Sequence, residues 1–564
     1  MIEDRWYKNA VIYSLSLDSY LDSNGDGVGD FAGLLQRVDY LQGLGVSAIW
    51  LMPFHPSPRR DHGYDVADYY GVDPQYGTLG DFVEFTQACR QRGIRVMMDL
   101  VLNHTSTDHP WFQAAISDKT SKYRDFYIWA KERPEDADEG MIFPGVQETT
   151  WTWNRQAQAY YFHKFYDFQP DLNLANPEVR AELLKIVGFW LELGISGFRV
   201  DAVPFLIAED GINVKDPQPA YGFLRRLREF AQWRKGDAVF LAEANIPPED
   251  CIRYFGEAGD RLQMMFNFPV NQTLFYALAS GDTLPLRDKL NASRDLPSTA
   301  QWAHFLRNHD ELDIGRLPEE QREAVFAAFG PEENMQVYDR GIRRRLAPML
   351  GGNRARLELA YSLMLTMPGT PVIRYGDEIG MGEDLSLPER DAARTPMQWS
   401  AEKNAGFSAS EKPVRPVIDE GPYGFRKVNV AMQRASKDSF LRWTERMLRM
   451  RKELTEIGHG KFDILDCEKH ILAMRYEYEG RISVFTHNLS GRKVEFAVQV
   501  KDGQDSGRPL VCLQTNRAIP PKTGDSYDLV LEPYGYRWFR LGGLEDMIVD
   551  GGPVAHASGT DAEN

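Results

Sequence analysis

The sequence predicts an α/β protein: an eightfold β/α barrel (a TIM barrel), a domain inserted after its third strand, and a C-terminal antiparallel β-sandwich. Three observations predict it. Eight short apolar runs alternate with amphipathic helical stretches, the grammar of parallel β/α units. About 70 residues separate the third run from the next clear helix, too many for an ordinary connection. Beyond Leu454 the apolar period shortens to alternation with turn signals between the runs.

Taken in order, Ala10–Leu17 is the first strand, and the helix after it aligns Leu34, Leu35, Val38, Leu41 and Leu44 until Gly45 ends it. Ala48–Met52 is the second strand. A helix carrying Phe82, Phe85 and Cys89 stops at Gly93 and leads into the third run, Ile94–Leu102. Residues 103–171, rich in aromatic, proline and charged side chains, form the insertion. The next helix has Asn176 at its N-cap and Pro177 in the first turn, with Leu183, Leu184, Val187 and Leu191 on one face. Gly197–Val203, Ala238–Ala242, Met264–Phe268, Trp302–Leu306 and Pro371–Tyr375 complete the barrel. Ile471–Tyr478, Arg481–Asn488, Val494–Val500 and Tyr536–Leu541 read as antiparallel strands. The division expected is a barrel in two parts (1–102 and 172–459), an inserted domain (103–171), a β domain (460–549) and a disordered tail (550–564).

Lys and Arg total 65 against 82 Asp and Glu, a net charge of −17 that argues against a nucleic-acid surface. The 4 cysteines are too scattered for a disulfide framework or a CxxC metal pair. No run is long and apolar enough to span a membrane, and Met1–Lys8 has no signal-like apolar region, so a cytoplasmic chain is expected.

In a β/α barrel, chemistry collects at the C-terminal ends of the strands. Here those ends supply Asn103-His104, Arg199-Val-Asp201, Glu243-Ala-Asn245 and Asn308-His309-Asp310-Glu311, while the loop after the second strand carries Gly63-Tyr64-Asp65. Any one of these could be an N-cap or a surface carboxylate. Several together, with three carboxylates from different strands, suit glycosidic bond cleavage, which needs a nucleophile, an acid/base and groups that stabilise an oxocarbenium-like state.

In these residues the chain resembles glycoside hydrolase family 13, the α-amylase family. The motifs stand as Asp99-Leu-Val-Leu-Asn-His104, Gly197-Phe-Arg-Val-Asp201, Leu241-Ala-Glu243-Ala-Asn245 and Phe305-Leu-Arg-Asn-His309-Asp310. The resemblance implies Asp201 as nucleophile, Glu243 as general acid/base and Asp310 as a carboxylate that grips sugar hydroxyls. It implies that Arg199 orients Asp201 and keeps it ionised, that His104 and His309 bind hydroxyls, that Tyr64 stacks on the ring, and that Asp65 holds its non-reducing end. Gln169-Pro-Asp-Leu-Asn173 and Arg390-Asp-Ala-Ala-Arg394-Thr-Pro-Met-Gln-Trp399 resemble the oligosaccharide-acting branch, in which an arginine of the latter loop, read here as Arg394, caps the pocket. Ala202, after the nucleophile, resembles the α-1,4-acting type.

Nearly the whole chain is similar to the trehalose synthases of that family, which turn glucose inside a closed site. Trp50-Leu-Met-Pro-Phe-His-Pro-Ser-Pro58, Asp201-Ala-Val-Pro204, Phe266-Asn-Phe-Pro-Val270 and Gly341-Ile-Arg-Arg-Arg-Leu-Ala-Pro348 carry this likeness. The Ile207–Tyr221 loop, Ser14-Leu-Ser-Leu-Asp18 and Arg374 depart from it. The implied activity is retaining interconversion of maltose and trehalose by intramolecular transglucosylation. The alternative is an exo-acting α-1,4-preferring glucosidase or transglucosylase on short malto-oligosaccharides, and a remote one is a catalytically silent carbohydrate-binding protein.

Asp22-Ser-Asn-Gly-Asp-Gly-Val-Gly-Asp30 places oxygen donors at alternate positions, as calcium prefers. In related enzymes this stretch binds Ca²⁺ through Asp22, Asn24, Asp26, Asp30 and the Val28 carbonyl, and a second cation site would use Asn103 and Asp171. A turn without metal is the competing reading, and no organic cofactor is implied. Arg343-Arg-Arg345 reads as a solvated or salt-bridged helix face, and Trp151-Thr-Trp153 as either substrate entrance or packing. The implied partners are small α-glucosides alone, with no nucleic acid and no membrane; a homo-oligomer is left open.

Overall fold

The computed structural model describes residues 5–143, 145–208, 221–501 and 507–543. Eight parallel strands close a barrel in chain order: β1 (Ile12–Leu15), β2 (Ala48–Leu51), β3 (Arg95–Leu100), β4 (Gly197–Val200), β5 (Val239–Ala242), β6 (Met264–Phe266), β7 (Gln301–Phe305) and β8 (Thr370–Arg374), which pairs back onto β1. Each lies within, or overlaps, an apolar run expected to be a strand.

The two-residue period of a strand sorts their side chains. Ile12, Ala48, Met97, Val239, Met264, Ala303 and Val372 fill the barrel interior. Tyr13, Ile49, Val96, Phe198, Phe240 and Met265 face outward into the core beneath the helices. At Gly197 a Cβ would stand 2.8 Å from the Val239 carbonyl oxygen, so glycine lets β4 and β5 close up. Two residues beyond the interior layer, on the same inward parity, come Ser14, Trp50, Asp99, Arg199 and Arg374. The alternation that fills the barrel therefore also turns polar groups into its C-terminal mouth.

The surrounding helices begin and end for local reasons. Leu79–Gln91 starts in a Thr78–Asp81 capping box, and Pro177–Glu192 starts where the Asn176 side chain accepts from the Glu178 N–H. Between β3 and the second of these helices, Trp129–Ala130, Ala159–Phe162 and Trp151–Asn154 form a small antiparallel sheet. Trp151 packs there with Ile128, Ala137 and Phe162, so core packing explains it.

At the C-terminal end a six-stranded antiparallel sheet is faced by the pair Val494–Gln499 and Ser526–Leu531. Val484, Val498, Tyr527, Leu529 and Phe539 form the core they share. This unit is bonded to the barrel helix Arg354–Thr366, where Ser362 Oγ accepts from Trp538 Nε1 at 2.8 Å and lies 2.9 Å from His487 Nε2.

The Arg343–Arg345 run is not a solvated helix face. Arg345 is fully buried and donates to the carbonyls of Ala393 and Tyr375. Arg343 donates to those of Leu385 and Glu389, and Arg344 pairs with Glu383 at 2.8 Å. Together they pin the loop after β8, because guanidinium groups satisfy several carbonyls at once. Most of the Ile207–Tyr221 loop and the expected tail lie outside the described residues. Among the described residues no helix is long and apolar enough to cross a membrane.

Candidate active site

A cavity of about 370 Å³ opens at the C-terminal end of the barrel, lined by Tyr64, His104, Asp201, Glu243, His309 and Asp310 among others. At its floor β3 and β4 pair with Asp99 opposite Arg199, and β4 and β5 pair with Val200 opposite Ala242. That register brings three carboxylates around one guanidinium. Arg199 Nη1 donates to Asp99 Oδ1 at 2.7 Å and to Asp201 Oδ1 at 2.5 Å, and Nη2 lies 2.8 Å from Glu243 Oε2. Glu243 Oε2 also accepts from the Ala202 N–H at 3.2 Å. Ala202 adopts a positive φ of 48°, an unusual conformation for a non-glycine residue, and this turns its N–H toward Glu243.

One cation cannot neutralise the three carboxylates packed around it, and the acidities respond. Burial raises Glu243 to about 7 against the opposing Arg199, with Asp201 and Asp310 pushing further in the same direction. Burial raises Asp201 to about 6, again against Arg199, with Asp99 and Asp310 adding to the rise. Arg199 favours the ionised Asp201 as expected, but desolvation outweighs the guanidinium, so the net shift is upward. Asp310 behaves oppositely. Burial would raise it, but His309, Arg390 and Arg394 together hold it well below the usual carboxylate range. Their contacts are 3.0 Å from His309 Nε2, 2.8 Å from Arg390 Nη1 and 3.1 Å from Arg394 Nη2.

The rings are fixed as firmly. Tyr64 stacks on His309 with centroids 5.9 Å apart, and its Oη lies 2.8 Å from His309 Nε2 and 3.1 Å from Asp99 Oδ2. Burial lowers His309 to about 3 and His104 to about 4, so both imidazoles are neutral near pH 7. His104 Nε2 lies 3.2 Å from the Tyr64 carbonyl oxygen. Arg374, whose place the sequence left open, is buried on β8 and donates to the Asn308 carbonyl at 2.9 Å, bracing the end of β7.

Two expected sugar contacts fall elsewhere. Asp65 is buried away from the cavity, and its carboxylate accepts from Ser57 Oγ and the N–H groups of Arg60 and Asp61. It shapes the loop. Asp61 lines the cavity in its place, accepting from Gln169 Nε2 at 3.0 Å and pairing with Arg390 at 3.3 Å. Arg394 is turned behind Asp310, donating to the His309 carbonyl at 2.8 Å, whereas Arg390 lines the cavity. Sequence reasoning missed Asp61 and chose the wrong arginine of its loop as the cavity-lining one. The positive φ of His62 and Gly63 decides which aspartate beside Tyr64 faces inward. Phe143, Phe165 and Phe205 also line the cavity, and no spacing signal marked them.

The profile of the family described as "Alpha amylase, catalytic domain" matches residues 12–328 and 335–460. The chain belongs to the α-amylase family. Within that family it is 41% identical to a trehalose synthase of Thermus thermophilus over 548 residues, covering 96% of this chain and 56% of that protein. It thus spans little more than half of that relative. It is 39% identical to a trehalose synthase of Pimelobacter sp. (strain R48) over 571 residues, covering 98% of each. Among solved structures of the family, a trehalose-6-phosphate hydrolase of Bacillus licheniformis superposes with a TM-score of 0.76 at 28% identity, covering 95% of this chain and all (100%) of that one.

The Asp22–Asp30 stretch folds into consecutive turns. Asp22 accepts from the N–H groups of Asn24, Gly25 and Gly27, and Asp26 accepts from that of Val28. Asp30 caps the short helix Phe31–Leu35. Among the described residues no three His, Cys, Asp or Glu side chains group closely enough to hold a metal ion by themselves. A cation in this loop would need the Asn24 side chain and Val28 carbonyl as well, an all-oxygen set of the kind calcium takes.

Proposed function

We propose that this protein is a retaining α-glucoside-acting enzyme of the trehalose synthase type, interconverting maltose and trehalose through a covalent glucosyl–Asp201 intermediate. The observation that carries this is the clamping of Asp201 and Glu243 by one guanidinium at the cavity floor. That clamp holds the carboxyls close together, as double displacement requires. It also leaves Asp201 Oδ2 free to attack, because Arg199 engages Oδ1. Glu243 Oε2 is likewise engaged, so the acid proton belongs on Oε1.

In the first step the Glu243 proton passes to the glycosidic oxygen. Asp201 Oδ2 bonds to the anomeric carbon as the C–O bond to the leaving glucose breaks. In the second step the Glu243 carboxylate takes a proton from an acceptor hydroxyl, whose oxygen bonds to the same carbon and displaces Asp201. Two inversions give retention. The charge of Arg199 stabilises the ionised nucleophile, and the carboxylate of Asp310 opposes the positive charge that builds on the sugar. With water as acceptor the product is glucose. With the anomeric hydroxyl of the retained glucose it is trehalose. The Asp61–Arg390–Asp310 cluster would grip the terminal sugar, which fits attack on one terminal glucosyl unit. The spacing of its oxygen donors supports calcium in the Asp22–Asp30 loop, where it would brace the turn after β1.

Incubation with maltose and separation of the products tests the reading. Trehalose as the main product supports it, and glucose alone rejects the isomerase in favour of an α-glucosidase.

A further inference from the structure

We propose that Arg340 is a positioning residue that latches the cavity roof and so decides whether the glucosyl intermediate passes to a sugar hydroxyl or to water. The inference rests on the covalent intermediate argued above.

Three segments distant in sequence line the cavity together: Ile142 and Phe143 of the insertion, Glu311, Asp313, Arg316 and Arg340 after β7, and Arg390 after β8. Arg340 ties the first two together. Its Nη1 donates to the Ile142 carbonyl at 3.1 Å, while its Nη2 lies 3.5 Å from Glu311 Oε1 and its Nε 3.6 Å from Asp313 Oδ2. The Asp313 carboxylate also accepts from Asn245 Nδ2 at 2.9 Å, so the latch is connected to the strand end that carries Glu243. Beside it the Phe143 ring packs on Tyr338 at 5.4 Å.

The backbone singles out the same point. Tyr338 and Asp339, immediately before Arg340, both have φ of 57° at the tip of the hairpin Gln336–Val337/Gly341–Ile342. Two adjacent non-glycine residues hold the left-handed conformation only where their surroundings impose it. At Gly341 a Cβ would lie 2.5 Å from Glu311 Cγ, so glycine lets Glu311 come against the hairpin within reach of Arg340. A guanidinium suits the task, since one rigid fork reaches a carbonyl and two carboxylates that a lysine could not engage together.

The intermediate has two exits. In each, an acceptor O–H gives its proton to Glu243 and its oxygen to the anomeric carbon, and the bond to Asp201 breaks. A closed roof keeps the released glucose in and bulk water out, favouring the sugar exit.

The test compares wild type, Arg340→Ala and Arg340→Lys with maltose, measuring glucose and trehalose formed over time. Arg340→Ala is expected to raise the glucose-to-trehalose ratio by about fivefold or more, with Arg340→Lys between it and wild type. Should Arg340→Ala fail to fold by circular dichroism, the ratio for Arg340→Lys decides. A parallel fall in both products, with their ratio unchanged, overturns the proposal, because damage to the scaffold slows both exits alike. The three proteins are also given p-nitrophenyl α-glucoside with excess glucose, and hydrolysis is measured against transfer. If wild type makes no trehalose, the isomerase reading fails while this second ratio still tests the latch.

Discussion

Asp99 and Arg199 stand opposite each other on adjacent barrel strands, joined at 2.7 Å with both side chains closed off from solvent. Asp99 does not itself line the cavity, yet its negative charge pushes the Asp201 carboxyl upward. Asp99→Asn is therefore expected to move the acidic limb of the kcat/KM profile down by roughly half a pH unit or more. A pH–rate series on maltose checks this, and a limb that stays in place separates Asp99 from the chemistry.

Activity requires Asp201 ionised and Glu243 protonated. The pair lies near 6 and 7, so the first condition is lost as pH falls below about 6 and the second as it rises above about 7. The profile of kcat/KM should be a narrow bell with its maximum between these values, described by two constants that belong to the pair. A broad plateau through pH 8 would contradict the assignment of Glu243 as acid.

Removing the acid should hurt substrates according to their leaving groups. Glu243→Gln is expected to cost maltose about 10²–10⁴-fold in kcat/KM, and an aryl α-glucoside with an acidic phenol far less, since that phenol leaves unprotonated. Asp201→Asn should abolish both. Equal losses for Glu243→Gln on both substrates would point to a positioning role instead.

Arg390 and Asp61 should govern affinity. Arg390 contacts Asp310 and Asp61 at once, a geometry lysine cannot copy. Arg390→Lys is expected to raise KM for maltose by about tenfold with a smaller change in kcat. Steady-state kinetics distinguish this from a loss confined to kcat.

Calcium in the Asp22–Asp30 loop predicts that chelation of the wild-type protein lowers Tm by a few degrees, about the effect of 1 kcal/mol in a domain of this size, and that added Ca²⁺ restores it. Thermal unfolding with EDTA and then excess Ca²⁺ measures it. An unchanged Tm would leave the loop as a hydrogen-bonded turn.

By itself the sequence determined the barrel and the residue types at its mouth. Eight apolar runs with helices between them can bury their faces in few ways, and a two-residue period beginning at Met97 or Gly197 must turn Asp99 and Arg199 inward. Asp201, Glu243, Asp310, His104 and His309 were legible because each follows closely on the C-terminal end of a strand. The tertiary structure alone decided what loops and burial control. Asp61 rather than Asp65 faces the cavity because left-handed residues at His62 and Gly63 reverse the chain. Arg390 rather than Arg394 lines it because Arg394 is held behind Asp310 by the His309 carbonyl. The acidities of Asp201 and Glu243 depend on how far water is excluded from three carboxylates that share one cation, a property of the assembled site that no local pattern encodes.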